Sequence, residues 1–156
     1  MVDYELPRIP ASAGALISDV SGRLLILKPT YKSGWTVPGG QMEADGETPW
    51  EACRREVAEE TGLTVASGRL ACVDFLRPKK DRPGGLRYLF DCGTLPTGQA
   101  QEIVLQEEEI GDHRWVLPGE ASELLSGPVG RRVAQALSHS GTAYLEDGRP
   151  VDGVSD

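Results

Sequence analysis

The sequence has few residues of the kinds that disulfide-rich and zinc-based folds require: three cysteines and two histidines among 156 residues. Cys53, Cys72 and Cys92 are odd in number and show no metal-ligand spacing, so we expect reduced core residues in a cytoplasmic protein. No apolar run approaches the roughly 20 residues of a membrane-spanning helix. The first seven residues, MVDYELP, lack both a basic start and an apolar stretch, so no signal peptide is expected.

Basic residues are also in deficit: 16 Lys and Arg stand against 24 Asp and Glu, giving a formal net charge of −8. Without a basic footprint the chain is not expected to bind a nucleic-acid polymer, and no membrane partner is expected either. A nucleotide-like small molecule is not excluded, because a bound divalent metal can reverse the sign of the local charge. The hydrophobic content of 39% and charged content of 26% are typical of a globular protein.

The length predicts one domain, which we place at residues 1–140, followed by a polar tail at 141–156 that is either disordered or a docking arm. Alternating apolar residues and turn signals predict six strands, and two later segments that begin with proline predict helices. The residues alone therefore indicate an α+β protein with a mixed sheet. The strands are predicted at 12–20, 23–28, 70–76, 86–92, 101–105 and 113–116, the first four as two hairpins, and the helices at 118–125 and 128–138.

A further helix is predicted between residues 48 and 62 by signals at both of its ends. Thr48 is the expected N-cap, Pro49 occupies the first helical position, and Glu51 completes a capping box. Gly62 stands where a helix stop is expected.

Three glutamates of this helix, Glu56, Glu59 and Glu60, are spaced i, i+3 and i+4, within about 100° of one helix face. Carboxylates held so close repel one another, so a cation is expected among them. Hard oxygen ligands with no histidine or cysteine on the same face favour Mg²⁺, with Mn²⁺ as a substitute, over zinc. The alternative is a solvated acidic helix face.

At these residues the sequence resembles a known family. REVAEETGL at 55–63 matches the core of the Nudix box, WTVPGG at 35–40 is similar to the entry to that box, and Glu47 lies at the matching distance before Arg55. Six residues separate Gly40 from Glu47 where the family has five. The extra residue falls in the turn-like stretch 43–46, where we expect it to bulge the loop and to leave the helix register intact. The resemblance covers about residues 12–138.

The resemblance implies an α/β/α sandwich with a mixed β-sheet and the box helix packed against it. It also implies an enzyme, a Mg²⁺-dependent pyrophosphohydrolase that acts on a nucleoside diphosphate linked to another moiety. A nucleoside triphosphate, ADP-ribose and a nucleotide sugar all stay open as substrates. The alternatives are a non-catalytic nucleotide-binding sensor with the same fold, and an interaction module with a merely acidic helix. The intact glutamate set favours the enzyme.

The resemblance also implies roles for individual residues. Glu59 and Glu60 would be the main metal ligands, and Glu56 would be either a ligand or the catalytic base. The Gly40 carbonyl would be a further ligand. Arg55 would fix the rotamer of a catalytic glutamate by a charge-assisted hydrogen bond, the alternative being an ordinary surface pair.

Outside the helix the sequence patterns are less specific. Glu108 and Glu109 could supply a further ligand or the base, but a solvated acidic loop explains them equally well. Four residues could contact the substrate. The alternative is that they are ordinary charged residues at strand ends and aromatic residues of the core, which give the same sequence pattern. The oligomeric state is not fixed by the sequence, and a homodimer stays open. The candidate substrate contacts are Lys28, Trp35, Gly39 and Arg87.

Overall fold

The computed structural model describes residues 4–154, so the first three residues of the expected domain and the last two of the expected tail lie outside it. Among the described residues no helix is long and apolar enough to cross a membrane. The elements within this range, in chain order, are β1 Ala11–Ser18, β2 Leu24–Pro29, β3 Gly39–Gln41, α1 Pro49–Thr61, β4 Arg69–Leu76, β5 Gly85–Thr94, α2 Thr97–Ala100, β6 Ile110–Val116, α3 Pro118–Leu124, α4 Gly127–Ser138 and β7 Ala143–Glu146.

The strands form one mixed sheet in the order β6-β2-β1-β5-β4-β7, with β3 paired beside β1. The two expected hairpins are confirmed: β1 is antiparallel to β2, and β4 is antiparallel to β5. β1 lies parallel to β5 along nearly its whole length and antiparallel to the short β3. β3, which carries Gly39 and Gly40, therefore pairs with β1, a strand in the interior of the sheet.

Helices cover both faces of the sheet. Ala15 and Ile17 of β1 are fully buried in a cluster with Val57 of α1. Leu16, between them in sequence, points to the other face and packs in a cluster with Val133 of α4. The alternation of strand side chains thus separates two cores. The expected α/β/α sandwich with the box helix against a mixed sheet is confirmed.

The strand predicted at residues 101–105 is wrong. The backbone N–H of Val104 donates to the Thr61 carbonyl at 2.9 Å, and that of Gln106 donates to the Glu60 carbonyl at 3.2 Å. The segment therefore satisfies the free carbonyls at the C-terminal end of α1 and forms no ladder with the sheet.

The expected tail is part of the fold. β7 pairs in parallel with β4, Cys72 opposite Ala143, and both Ala143 and Leu145 are buried. The domain therefore extends past the boundary expected at residue 140, and the disordered alternative does not hold for this stretch. The arm docks on the sheet of its own chain, because its alternating apolar residues cover the edge of β4.

Candidate functional site

Helix α1 is held at both ends by the residues that the sequence indicated. The Glu51 N–H donates to Thr48 Oγ1 at 3.1 Å, and the Thr48 N–H donates to Glu51 Oε1 at 3.1 Å, which completes the capping box. Pro49 occupies the first turn, and Gly62 caps the C-terminal end in the left-handed conformation. These local contacts fix the register in which α1 presents its glutamates.

Arg55 donates hydrogen bonds to three of the four glutamates that we call the acidic cluster, Glu47, Glu56, Glu59 and Glu60. Its Nε and Nη2 donate to both oxygens of Glu47 at 2.7 and 3.0 Å, and its Nη1 donates to Glu56 at 3.0 Å and to Glu59 at 3.1 Å. Nη2 also donates to the Gln41 carbonyl at 3.0 Å. A single guanidinium therefore fixes three carboxylates and ties α1 to the loop that follows β3, which is far more than a surface i, i+4 pair. Its contacts are those of a positioning group.

Glu47 is held on its other side by the loop. Its Oε1 accepts from the Glu43 N–H at 2.9 Å, so this carboxylate closes a turn over residues 44–46. The side-chain hydrogen bond from Arg55 lowers the pKa of Glu47 to about 2, assisted by the Glu43 N–H. Gly46 has a φ of 91°, a left-handed conformation that glycine adopts without strain. The extra residue thus bulges into a turn as expected, and Asp45 lies exposed in it.

Glu60 is the buried member of the cluster, with 5% of its surface exposed. Its Oε1 accepts from the Gly39 N–H at 2.8 Å, and no basic side chain of residues 4–154 pairs with it. Burial raises the pKa of the Glu60 carboxyl to about 8, although the Gly39 N–H opposes the rise. The negative charges of Glu56, Glu109 and Glu59 act in the same direction as burial. A buried carboxyl among like charges needs a proton or a cation to be stable.

Gly40 lets the backbone of β3 lie against the carboxylate of Glu56. A Cβ at Gly40 would lie 2.5 Å from both Cδ and Oε1 of that side chain. Gly40 pairs with Ala13 of β1, so the strand cannot move away without breaking the sheet. The inserted residue has therefore not displaced Gly40 from the glutamates. Burial raises the pKa of Glu56, against the opposing effect of Arg55.

Of the two loop glutamates, the structure brings Glu109 towards the cluster. Its charge raises the pKa of Glu56 and of Glu60, whereas no such influence comes from Glu108. The difference follows from the turn that precedes β6, where the N–H groups of Glu109 and Ile110 both donate to the Gln106 carbonyl. Buried Ile110 anchors this turn.

Glu60 lines a cleft of about 310 Å³ beside Gly39 and Gly40, and we call this part of the cleft the acidic end. Of the expected substrate contacts, Gly39 and Arg87 line this cleft, whereas Lys28 and Trp35 do not. The ring of Trp35 lies under the Arg114 guanidinium, 4.7 Å from the ring centroid, with the Lys28 ammonium at 5.8 Å. Lys28 and Trp35 thus form a separate cation–π cluster.

The cleft also contains two residues that the sequence gave no reason to combine, Tyr31 and Arg132. Partial burial raises the pKa of Tyr31, and the negative charges of Glu60, Glu109 and Glu56 add to the rise. Arg132 is almost completely buried. The sequence does not predict that Arg132 lines the cleft, since it looks like any other helix arginine. Its place in the wall follows from the packing of α4 against the sheet.

The residues at the acidic end fit a divalent cation by their chemistry. Three features suit Mg²⁺ or Mn²⁺: oxygen donors, a buried Glu60 carboxylate that has no basic partner within residues 4–154, and the bare backbone at Gly40. In the present side-chain arrangement no three His, Cys, Asp or Glu residues of 4–154 are grouped ready to hold a metal. The reason is visible in the contacts: Arg55 holds Glu56 and Glu59, and the Gly39 N–H holds Glu60.

Comparison with known proteins agrees with this geometry. A model of the NUDIX domain matches residues 8–137. The chain is 31% identical over 129 residues to a MutT-like protein of Streptomyces ambofaciens, covering 83% of this chain and 77% of the relative. It is 30% identical over 123 residues to an RNA pyrophosphohydrolase of Actinobacillus succinogenes, covering 76% of this chain but only 60% of that relative.

Solved structures show the same relationship. The MutT protein of Methanosarcina mazei superposes with a TM-score of 0.64 at 27% identity, covering 80% of this chain and 88% of that one. The family model spans most of the chain and includes β3, α1, the loop between them and the turn that precedes β6. The chain is thus a member of the NUDIX domain family, the Nudix hydrolases.

Proposed function

We propose that this Nudix hydrolase cleaves the pyrophosphate bond of a nucleoside diphosphate linked to another moiety, with Mg²⁺ as cofactor and Mn²⁺ as a substitute. The observation that carries the proposal is the buried Glu60 carboxylate, which has no basic partner in the described residues and lies among Glu56, Glu59 and Glu109. A cluster of this kind is suited to holding a cation against the phosphates of a substrate.

Glu56, Glu59, Glu60 and the Gly40 carbonyl would hold the ion. When bound, the ion would neutralise charge on the phosphate oxygens and make a nearby water more acidic. Glu56 is also suited to take the proton of the attacking water, because burial raises its pKa and so makes the carboxylate a stronger base. Glu109 is the alternative base or a further ligand. Arg55 would keep Glu56 and Glu59 in place through the hydrogen bonds from Nη1.

The remainder of the cleft would bind the substrate. The Gly39 and Gly40 backbone allows close approach of a phosphate chain because neither residue has a side chain in the way. Tyr31 and Tyr88 line the same cleft and offer rings on which a base could stack. All three cysteines are free thiols, which supports a cytoplasmic location.

The test is a panel of nucleoside triphosphates, ADP-ribose, nucleotide sugars and dinucleoside polyphosphates, assayed for phosphate or pyrophosphate release with Mg²⁺. A 5′-triphosphorylated RNA oligonucleotide belongs in the panel because of the RNA pyrophosphohydrolase relative. The net charge of −8 predicts that the small molecules are the better substrates.

Glu59→Gln and Glu60→Gln should each lower kcat at least a hundredfold, about 3 kcal/mol in activation free energy, while the protein stays folded. Glu123→Gln, an exposed glutamate of α3, is the matched control and should keep full activity. Nucleotide binding without turnover in the wild type would favour the non-catalytic sensor instead. Full activity of Glu60→Gln at saturating Mg²⁺ would overturn the metal assignment.

A further inference from the structure

The wall of the cleft also contains a buried ion pair that orients an arginine. Arg132 Nε of α4 donates to Asp74 Oδ2 at 2.7 Å, and Asp74 on β4 is completely buried. The other oxygen, Oδ1, accepts from the Gly148 N–H at 2.9 Å. Asp74 therefore has no free direction in which to move, and it fixes the guanidinium plane of Arg132 at the cleft wall.

This pairing uses only one of the five N–H donors of Arg132. Its two Nη groups have no hydrogen-bond partner among residues 4–154, and they belong to a side chain that lines the cleft. Among residues 4–154 only Gln106 Oε1 is a fully buried side-chain polar atom without a partner, so the unpaired Nη groups of Arg132 keep contact with the solvent of the cleft. The free edge of Arg132 is thus available to an acceptor in the cleft.

Arg87 lies beside this pair. It is the cross-strand partner of Asp74 in the β4–β5 ladder, so the two side chains share one face of the sheet. Arg87 is half-buried, and the one hydrogen bond that its side chain makes within residues 4–154 goes to the neighbouring Leu86 carbonyl at 3.3 Å. No carboxylate of the described residues lies within ion-pair distance of it. Burial lowers the pKa of Arg87, and the positive charge of Arg132 lowers it further, against the attraction of Asp74.

The wall of the cleft therefore combines two groups of charged residues of opposite sign. The charges that act on Glu60 are those of Glu56, Glu109 and Glu59. The charges that act on Arg87 are those of Arg132, Asp74 and Arg82. Arg87 and Arg132 contribute two positive charges and Asp74 one negative charge, which leaves a net positive charge in this part of the wall of a protein whose formal net charge is −8.

We propose that Arg87 and Arg132 form an oxyanion subsite that binds a phosphate or carboxylate on the part of the substrate that is not cleaved. The planar fork of a guanidinium matches both groups with paired hydrogen bonds. The identification of the ligand as part of a substrate rests on the proposed function. The binding of an anion by Arg87 and Arg132 does not depend on it. The subsite narrows the substrate class to pyrophosphates that carry a second anionic group remote from the scissile bond.

Binding of inorganic phosphate in the presence of chelator tests the subsite without hydrolysis, because without metal the acidic end repels phosphate. Calorimetric titration should show saturable binding to the wild type, weakened at least tenfold in Arg87→Gln. The matched control is Arg149→Gln, at an exposed arginine whose side chain has no partner in the described part of the chain, and this variant should bind as the wild type does. Acetate, titrated in the same way, separates a phosphate preference from a carboxylate preference. No binding of either anion to the wild type, or equal binding to Arg87→Gln, overturns the proposal.

Arg132→Lys supplies a second, independent variant. Lysine keeps a positive charge for Asp74 but lacks the fork, so phosphate binding should weaken severalfold while the protein stays folded. If this variant does not fold, the comparison of Arg87→Gln with Arg149→Gln decides alone. Glu60→Gln should keep phosphate binding and lose hydrolysis. Phosphate binding that depends on Arg87 in a protein that hydrolyses no pyrophosphate would support the subsite and contradict the proposed function.

Discussion

Replacing Gly40 with alanine tests whether the bare backbone of β3 must lie against the Glu56 carboxylate. The new Cβ would lie 2.5 Å from Cδ and Oε1 of Glu56 and 2.9 Å from Oε2, whereas contacts under 3.4 Å are uncommon for real Cβ atoms. The Glu56 side chain must therefore retreat by about 1 Å, and a misplacement of that size costs about a hundredfold in rate at a reacting centre.

A hundredfold loss corresponds to about 2.7 kcal/mol of activation free energy. The free energy of unfolding should change much less. The retreat weakens the hydrogen bond from Arg55 to Glu56, about 1 kcal/mol for a partly exposed pair. Alanine recovers about 0.4–1 kcal/mol of that, because it restricts the unfolded chain more than glycine does. Gly40→Ala should therefore be nearly inactive and nearly as stable as the wild type.

The assay is kcat/KM with the substrate that the nucleotide panel identifies, together with a thermal melt and a calorimetric titration of Mg²⁺. Gly119→Ala is the matched control, since a Cβ there would meet nothing within 4 Å. Activity of Gly40→Ala within threefold of the wild type would refute the reasoning, because it would show that the position of Glu56 does not matter. A large loss of stability would refute it as well, since the loss of activity would then have another cause.

Three further predictions concern stability. Mg²⁺ at a hundredfold excess over its Kd should raise the free energy of unfolding by about 2.7 kcal/mol, and chelator should reverse the shift in Tm. Asp74→Asn should destabilise by about 3–5 kcal/mol in urea titrations, because it leaves buried Arg132 without a counter-charge. Asp91→Asn, at an exposed pair, should change stability by less than about 1 kcal/mol. The backbone N–H and guanidinium of Arg77 lower the pKa of Asp147 below 3.8. Melts from pH 5 to pH 2 should therefore show that wild type loses an advantage over Asp147→Asn as the pH falls through this lowered pKa; a difference independent of pH contradicts it.

The sequence predicted helix α1 and its register well because the signals there are local. Thr48, Pro49 and Gly62 each act within one turn of the helix, so no knowledge of the rest of the fold is needed. The same is true of the turn at Gly46. The sequence predicted that Arg55 holds a glutamate, but it did not predict that Arg55 holds three of them. Its strongest partner, Glu47, is eight residues away, across the loop that the insertion lengthens.

The strand β7 and the ion pair of Arg132 with Asp74 could not be predicted in this way. Arg132 and Asp74 are 58 positions apart, and in the sequence each looks like an ordinary charged residue of its own segment. Only the packing of α4 against β4 makes Asp74 a buried carboxylate that needs a partner. The segment at residues 101–105 shows the opposite failure, since an apolar pattern suited to a strand instead covers the end of α1.

The choice between Glu108 and Glu109 illustrates why site residues on loops are harder to predict than those on helices. A helix fixes the direction of each side chain by its period, so the face of α1 followed from spacing alone. In the turn before β6 the direction depends on which N–H groups the Gln106 carbonyl accepts. No residue type in the sequence specifies that pattern. The substrate assignments of Lys28 and Trp35 stay predictions, although both residues lie outside the cleft.

The parallel pairing of β7 with β4 has a consequence for how the chain is made. Thr142 Oγ1 donates to the Leu70 carbonyl across 72 positions of sequence, so this edge closes only after residues 142–146 have left the ribosome. Until then β4 presents unpaired N–H and C=O groups beside buried Ala71 and Cys72, an edge that can pair with another nascent chain. Synthesis that stops before residue 143 should leave an aggregation-prone product, even though every glutamate of the acidic cluster is already present.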